Sequence, residues 1–391
     1  MIHNPLAILF LLLSIEICVL RLSRHGRFKR YFRFLPPVFW IYFVPMLAST
    51  AGLTDTRSSV YSLIIAHLLP ASLLLLLISV DVKSIIRLGG PAILMFFVGS
   101  LGIILGAPVV FFLFKNWVGA QSWSGFGALS ASWTGGSANM IAVKEALNTP
   151  DKVFLPMVIV DTIVPYVWMG ILLAMVRIQP VFDRWNRSNR QMLDQLSKRI
   201  FDISSPDENI RGWNVKGIIL ILGLAILGSL ISQFIAKLLP EIKYAVSTYA
   251  WTIIIVSALG ILLSFTPVKN LENFGASKIG YFMLYFVLAS IGAKANMIDI
   301  GSTFLLILAG FLIVFIHAGF LLVASRIIKA PLFLAVVASQ ANIGGVASAP
   351  VVAAVYQPGL ASVGLLLAIL GNIVGTYLGI LSGQLCLSLT Y

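Results

Sequence analysis

Long apolar runs, separated by short polar or basic connections, make up most of the chain. A helix needs roughly 20 apolar residues to cross the hydrocarbon core of a bilayer, and the runs are of about that length. They do not alternate between apolar and polar positions as the strands of outer-membrane barrels do, so the pattern predicts membrane-spanning helices. The twelve segments are residues 5–20, 37–52, 59–80, 91–114, 125–147, 153–175, 217–236, 248–265, 279–294, 301–325, 332–355 and 359–387.

Two of these segments, 125–147 and 332–355, differ from the others because each has a Gly-Gly pair near its centre, surrounded by Ser, Thr, Asn or Gln. A glycine pair interrupts a helix and exposes backbone groups. Such a segment either crosses the membrane as a discontinuous helix or returns to the same side as a hairpin of two short helices.

The basic residues distinguish these alternatives. If all twelve segments cross, Lys and Arg divide almost equally between the two sides, whereas two hairpins place 20 of the 27 on one side. Cytoplasmic connections of membrane proteins carry an excess of Lys and Arg. The sequence therefore predicts about ten transmembrane helices and two Gly-rich re-entrant hairpins, with a cytoplasmic linker over 176–216 and both termini outside.

The two halves of the chain match each other in order at an offset of about 210 residues. This predicts two repeats, 1–175 and 217–391, each with five spans and one hairpin. Because five crossings are an odd number, the second repeat is inverted, as in many secondary transporters. The predicted fold is an all-α polytopic membrane protein. The matched pairs are Lys83 with Lys294, Gly90 with Gly301, Gly99 with Gly310, Ala107 with Ala318, and Gly135-Gly136 with Gly344-Gly345.

Composition excludes other classes of protein. Hydrophobic residues make up 59% and charged residues 10%, with a mean hydropathy of +0.99, which no soluble enzyme could keep in water. The net charge of +13 lies in the connections, so topology explains it and no nucleic-acid partner is expected; the partner is the lipid bilayer. There are two cysteines and no nucleotide-binding or protease motif, so we expect no enzyme activity, cofactor or metal beyond a possible sodium ion.

The hairpins provide the candidate solute site. Arms of about ten residues extend about 15 Å, so both tips reach the membrane midplane. Helix N-termini there suit an anionic group, while carbonyls and hydroxyls suit a dehydrated cation. Glycine and small polar residues also allow close helix packing, which is the structural alternative. The predicted substrate-binding residues are Ser132, Thr134, Gly135, Gly136, Ser137, Asn139, Gln340, Asn342, Gly344, Gly345 and Ser348.

Asp161 lies in the middle of the span that follows the first hairpin. An acid at this depth is a functional hypothesis by default. With Thr162, Asn372 and Thr376 it would bind sodium through oxygen atoms or carry a proton. The alternative is a hydrogen-bonded buried acid beside Pro165.

Other polar residues within the apolar segments are assigned simpler roles. Lys144 and Glu145, in the return arm of the first hairpin, are predicted to form a surface ion pair or gate charge. Glu16, His67 and His317 are predicted to make hydrogen bonds between helices.

The strings SASWTGGSANMIAVKEAL and SQANIGGVASAPVVAAV resemble the signature segments of the membrane-protein family called domain of unknown function 819. That family is distantly similar to bacterial sodium/glutamate symporters and 2-hydroxycarboxylate transporters. The resemblance implies an elevator-type carrier, in which a transport domain with both hairpins slides against a scaffold domain that forms a homodimer. It places Gly135, Gly136, Gly344 and Gly345 at the hairpin tips. No arginine lies in either hairpin, so glutamate or citrate specificity is not carried over.

These patterns predict a secondary active transporter in a bacterial inner (plasma) membrane. Its solute would be small and polar or anionic, such as an amino acid, carboxylate or short peptide, coupled to sodium or protons. The alternative is a channel or uncoupled facilitator, in which the Gly-rich loops would form a filter.

Overall fold

A computed structural model describes residues 2–28, 31–32, 37–189, 191–203, 215–241, 247–294 and 303–390, and these ranges contain helices and no strand. The predicted all-α class is confirmed. The α-helices are α1 (Pro5–Arg24), α2 (Pro37–Thr50), α3 (Ser59–Ile78), α4 (Val82–Arg87), α5 (Gly90–Val118), α6 (Trp123–Gly135), α7 (Ser137–Ala146), α8 (Asp151–Ala174), α9 (Gln179–Asn186), α10 (Gln191–Ile203), α11 (Val215–Leu238), α12 (Thr248–Ser264), α13 (Ala276–Lys294), α14 (Thr303–Ile328), α15 (Leu332–Ile343), α16 (Gly345–Tyr356) and α17 (Ala361–Ser388).

Eight of the described helices are long and apolar enough to cross a membrane. A ninth candidate is α12 together with the 3-10 turn Pro267–Phe274, which is bent by 94°. The described part of α2 has 14 residues, or roughly 21 Å of helix, which is shorter than the hydrocarbon core. The count of ten spans and the inversion of the repeats therefore remain predictions.

The helices group into two compact units, and both glycine-rich segments belong to the same one. The first unit contains Met1–Val80, Asn148–Thr162 and Asn209–Ser302. The second unit contains Asp81–Leu147, Ile163–Glu208 and Thr303–Tyr391. Each unit therefore draws helices from both predicted repeats, and α8 is divided between them.

Within the first unit, glycines allow close helix packing. Gly228 of α11 and Gly260 of α12 pack against α3 at Leu74 and Leu77. The fully buried Ile41 and Met46 of α2 and Ile253 of α12 show that this unit has an apolar core of its own.

Part of the predicted linker 176–216 belongs to the second unit and packs against the start of α15 there. The Asp183 carboxylate accepts a hydrogen bond from the Leu332 backbone N–H at 2.8 Å, which caps the start of α15. Asn186 is fully buried, and its Nδ2 donates to the carbonyls of Ala330 at 2.8 Å and Ser325 at 3.1 Å. Residues 190 and 204–214 of this linker lie outside the described residues.

Candidate functional site

The first glycine-rich segment folds back on itself between α6 and α7. A Cβ placed on Gly127 of α6 would lie 2.8 Å from Cδ1 of Leu147, the residue after α7. Along one continuous helix these residues would be about 30 Å apart. Gly136 joins the arms with φ of +85°, a left-handed conformation that glycine adopts without strain. The segment is therefore a hairpin and not a crossing helix.

The second glycine-rich segment also reverses direction. Gln340 Nε2 of α15 donates a hydrogen bond to Ser348 Oγ of α16 at 2.6 Å. Residues eight positions apart are separated by about 12 Å along a helix, too far for this bond. The reversal occurs at Gly344 and at Gly345, whose φ is +61°.

A row of glycines on α17 packs the first hairpin against that helix. A Cβ on Gly375 would lie 2.6 Å from the Cα of Gly135, and one on Gly379 would overlap the side chain of Ala131. Small residues four positions apart share one helix face and let two backbones approach closely. Sequence analysis missed this interface, although the four-residue spacing is visible. The glycines of this row are Gly371, Gly375, Gly379 and Gly383; α17 also contains Gly364, nearer its start.

At the first tip, Asn139 connects the hairpin to α17. Its Nδ2 donates to the carbonyl of Gly135 at 2.6 Å and, more weakly, to that of Asn372 at 3.4 Å. Its Oδ1 accepts a hydrogen bond from Thr376 Oγ1 at 2.5 Å. The structure thus brings two predicted substrate-binding residues, Gly135 and Asn139, together with two predicted coupling residues.

The second tip is connected to α5. Asn342 Oδ1 accepts a hydrogen bond from Ser100 Oγ at 2.8 Å, and its Nδ2 donates to the carbonyl of Phe96 at 3.2 Å. The Phe96 ring also lies close to the first tip. Gly371 of α17 packs against the backbone of Thr134 in α6, and a Cβ placed on Gly371 would lie 3.3 Å from Cζ of Phe96. Both hairpin tips therefore lie beside the same part of α5.

The sequence matches a family model over residues 7–389, nearly the whole chain. The family is described as "Protein of unknown function (DUF819)". The chain belongs to the DUF819 family. This membership confirms the resemblance carried by the two glycine-rich strings.

The chain is also similar to a relative named "Uncharacterized membrane protein YjcL" from Bacillus subtilis (strain 168). They are 23% identical over 347 residues, which cover 85% of this chain and 86% of the relative. With its apolar helices, this DUF819 protein is an integral membrane protein. The similarity to sodium/glutamate symporters, the bacterial inner membrane and the orientation of the termini remain predictions.

The predicted substrate-binding residues differ in how accessible they are. Gly136, Ser137, Gly344 and Gly345 are partly exposed at the tips, as is Asn372 of the predicted coupling set. The remaining predicted substrate-binding residues are buried, with most of their polar groups bonded inside the unit. The buried residues are Ser132, Thr134, Gly135, Asn139, Gln340, Asn342 and Ser348.

Gln340 has an unusual environment among these residues. Its side chain is fully buried, and its Oε1 has no hydrogen-bond partner among the described residues. A buried acceptor without a partner costs about 1–3 kcal/mol, so this atom is a candidate for contact with a solute or a water molecule.

His317 makes the predicted hydrogen bonds between helices. Its Nδ1 lies 2.7 Å from the carbonyl of Gly99, and its Nε2 lies 2.9 Å from Ser339 Oγ. The same hydroxyl accepts a hydrogen bond from Trp168 Nε1 at 2.9 Å. Because a carbonyl can only accept, Nδ1 donates to the carbonyl of Gly99, and Nε2 shares the second hydrogen bond with the Ser339 hydroxyl. The ring fixes the second hairpin to α5, α8 and α14.

Lys144 and Glu145 form the predicted ion pair at 2.8 Å, but Lys144 is only 5% exposed, so its predicted position at the surface is wrong. The alternative role of a gate charge stays a prediction. The expectation for Glu16 does not hold. Glu16 is buried, and neither carboxylate oxygen has a hydrogen-bond partner in the described part of the chain. His67 makes the predicted contact between helices, although at a long distance, with Nδ1 3.5 Å from Gln233 Nε2 of α11.

The four predicted coupling residues do not belong to one compact unit. Asp161 and Thr162 lie in the first unit, whereas Asn372 and Thr376 lie in the second. The Thr162 hydroxyl donates to the carbonyl of Val158 in its own helix at 2.8 Å. This hydrogen bond therefore lies within α8 and does not connect Thr162 to another helix.

The groups around Asn139 are of the chemical type that binds a sodium ion. Two backbone carbonyls, an amide and a hydroxyl meet there, and hard cations bind such oxygen ligands. No cluster of three or more His, Cys, Asp or Glu side chains suited to a metal ion occurs within the ranges that the structure describes.

Proposed function

We propose that the protein is a secondary transporter and that the two hairpin tips of the second unit form its solute site. The observation that carries this proposal is the convergence of both tips beside Phe96 of α5. Irregular backbone at membrane depth is tolerated where it lines a cavity or is buried in protein, and discontinuous helices of this kind hold the substrate in secondary transporters.

The chemistry of the tips favours a small polar or anionic solute, such as an amino acid, carboxylate or short peptide. Helices α7 and α16 both begin at the tips, so their free N–H groups and positive dipole ends are available to an anionic group. Gln340 Oε1 adds an acceptor for a donor group on the solute. The charged side chains of the described hairpins, Lys144 and Glu145, lie in the last turn of α7, away from the tip.

We further propose that transport is coupled to sodium or protons and follows an elevator mechanism. Both hairpins belong to one compact unit, which would carry the solute, while the first unit would be the scaffold and dimer contact. A sodium ion would be held by the carbonyls of Gly135 and Asn372 with Asn139 and Thr376. In the first unit, Asp161 is the proposed acid that responds to the driving ion.

Asp161→Asn is expected to remove the dependence of uptake on the driving ion, because the amide neither titrates nor attracts a cation as strongly. Gradient-driven accumulation should fall at least tenfold while counterflow exchange persists. Accumulation and exchange in proteoliposomes, compared across sodium concentration and pH, measure this. Unchanged ion dependence would contradict the role proposed for Asp161 and leave the oxygen cluster around Asn139 as the coupling site.

The proposed function itself is tested first by thermal shift in detergent over amino acids, short peptides and di- and tricarboxylates, with and without sodium. Solutes that stabilise the protein are then tested for uptake. Saturable uptake with counterflow supports a carrier. A steady conductance without counterflow would indicate a channel and contradict the proposal.

A further inference from the structure

An apolar groove of about 520 Å³ runs along the second unit between α5 and α14. Val98 of α5 and the last turns of α14, from Ile316 to Ile327, line it without any polar surface. Val323 and Ile327 are 60% and 74% exposed, so the groove faces outward from the protein. A Cβ on Gly319 would meet no atom within 4 Å, which shows that this glycine leaves space in the groove.

A basic residue, Arg326, lies in the last turn of α14 beside the groove. Arg326 lies one turn beyond Val323 and two turns beyond Gly319 on the same face of α14. Its guanidinium lies 4.9 Å from the ring centroid of Trp185 in α9, and its Nη1 donates to the Trp185 carbonyl at 3.1 Å. Trp185 and Val181 are 63% and 64% exposed, a pattern typical of a helix at the membrane interface.

Other positive charges lie in the segment that Arg326 contacts through Trp185 and just after α14. Residues 177–189 contain three arginines and one acid, Asp183, and Lys329 follows the end of α14. Oδ1 of Asp183 accepts hydrogen bonds from the Leu332 N–H and the Ser188 hydroxyl. Basic residues at the ends of transmembrane helices attract anionic lipid headgroups.

We propose that the groove and Arg326 form a binding site for one anionic phospholipid. An acyl chain would occupy the groove beside Gly319, and the headgroup phosphate would bind the guanidinium. Arg326 has five N–H donors in total, so the bond to Trp185 leaves donors for a phosphate. The positive charge beside the apolar groove is the reason to expect an anionic lipid rather than a neutral one.

Native mass spectrometry of the purified full-length protein, with added phosphatidylglycerol or phosphatidylcholine, tests this site. Arg326→Gln keeps a donor for the Trp185 carbonyl but removes the charge, and should lower phosphatidylglycerol occupancy about fivefold. Gly319→Leu should fill the groove and lower occupancy by at least as much. The matched controls are Arg87→Gln, an exposed arginine in the last turn of another helix, α4, and Gly170→Leu, a glycine on α8 with open space around it.

Selective binding of phosphatidylglycerol that both variants lose and both controls keep supports the proposal. Equal binding of the two lipids, or unchanged occupancy in Arg326→Gln, would overturn it. If Gly319→Leu instead changes the oligomeric state without affecting lipid occupancy, the groove binds a second copy and the proposal is wrong. Elution as a single species and an unchanged unfolding temperature establish that each variant is folded.

Discussion

Gly375→Val is expected to prevent correct folding of the second unit. A Cβ at this position would lie 2.6 Å from the Cα of Gly135, so the two backbones would have to separate. Overpacking a well-packed core costs about 1–3 kcal/mol, and we expect the upper end or more because backbone and not a flexible side chain must move. Thermal unfolding and size-exclusion chromatography in detergent measure the loss.

Gly223→Val is the matched control, because a Cβ at Gly223 of α11 would meet no atom within 4 Å. This variant should elute and unfold like the wild type, within about 1 kcal/mol. If Gly375→Val were equally well folded, the proposed packing of α6 against α17 would be incorrect.

Thr376→Val is expected to reduce concentrative uptake at least tenfold in a protein that still folds. Valine is close to threonine in shape but cannot donate the hydrogen bond to Asn139 Oδ1. An unsatisfied buried acceptor costs about 1–3 kcal/mol, enough to change the orientation of the amide between the Gly135 and Asn372 carbonyls. Initial rates of uptake into proteoliposomes, with protein amount and folding checked, measure the effect.

Thr162→Val provides the comparison for this variant, because the Thr162 hydroxyl bonds only to a carbonyl of its own helix among the contacts described. Its uptake should remain within about twofold of wild type, since the lost bond is local. Equal losses in both threonine variants would indicate that general destabilisation, not the Asn139 cluster, explains the effect.

The sequence was sufficient to predict the helical class and the two hairpins, because glycine pairs among small polar residues interrupt apolar segments visibly. It could not predict which residues meet at the tips. The hydrogen bonds from Thr376 to Asn139 and from Ser100 to Asn342 join positions more than 230 residues apart. Such pairs depend on how helices of both halves pack within one unit.

The glycines of the hairpins also have different roles that their shared motif does not reveal. Gly135 and Gly345 each belong to the central Gly-Gly pair of a hairpin. In the structure Gly135 packs against the backbone of α17, whereas Gly345 has open space and φ of +61°. Valine at position 135 would therefore disturb packing, while valine at position 345 would strain a tip that remains accessible.

Cysteine labelling at Ser137 tests the central claim, that the hairpin tips form the solute site of a carrier, most directly. Ser137 is partly exposed beside Gly136, and the natural Cys18 and Cys386 would first be replaced. In proteoliposomes, an impermeant thiol reagent applied separately to each side should modify Ser137→Cys from both sides, because a carrier exposes its site alternately. A solute that stabilises the protein should slow both reactions. Modification from one side only, at a rate that no transported solute changes, would contradict the account.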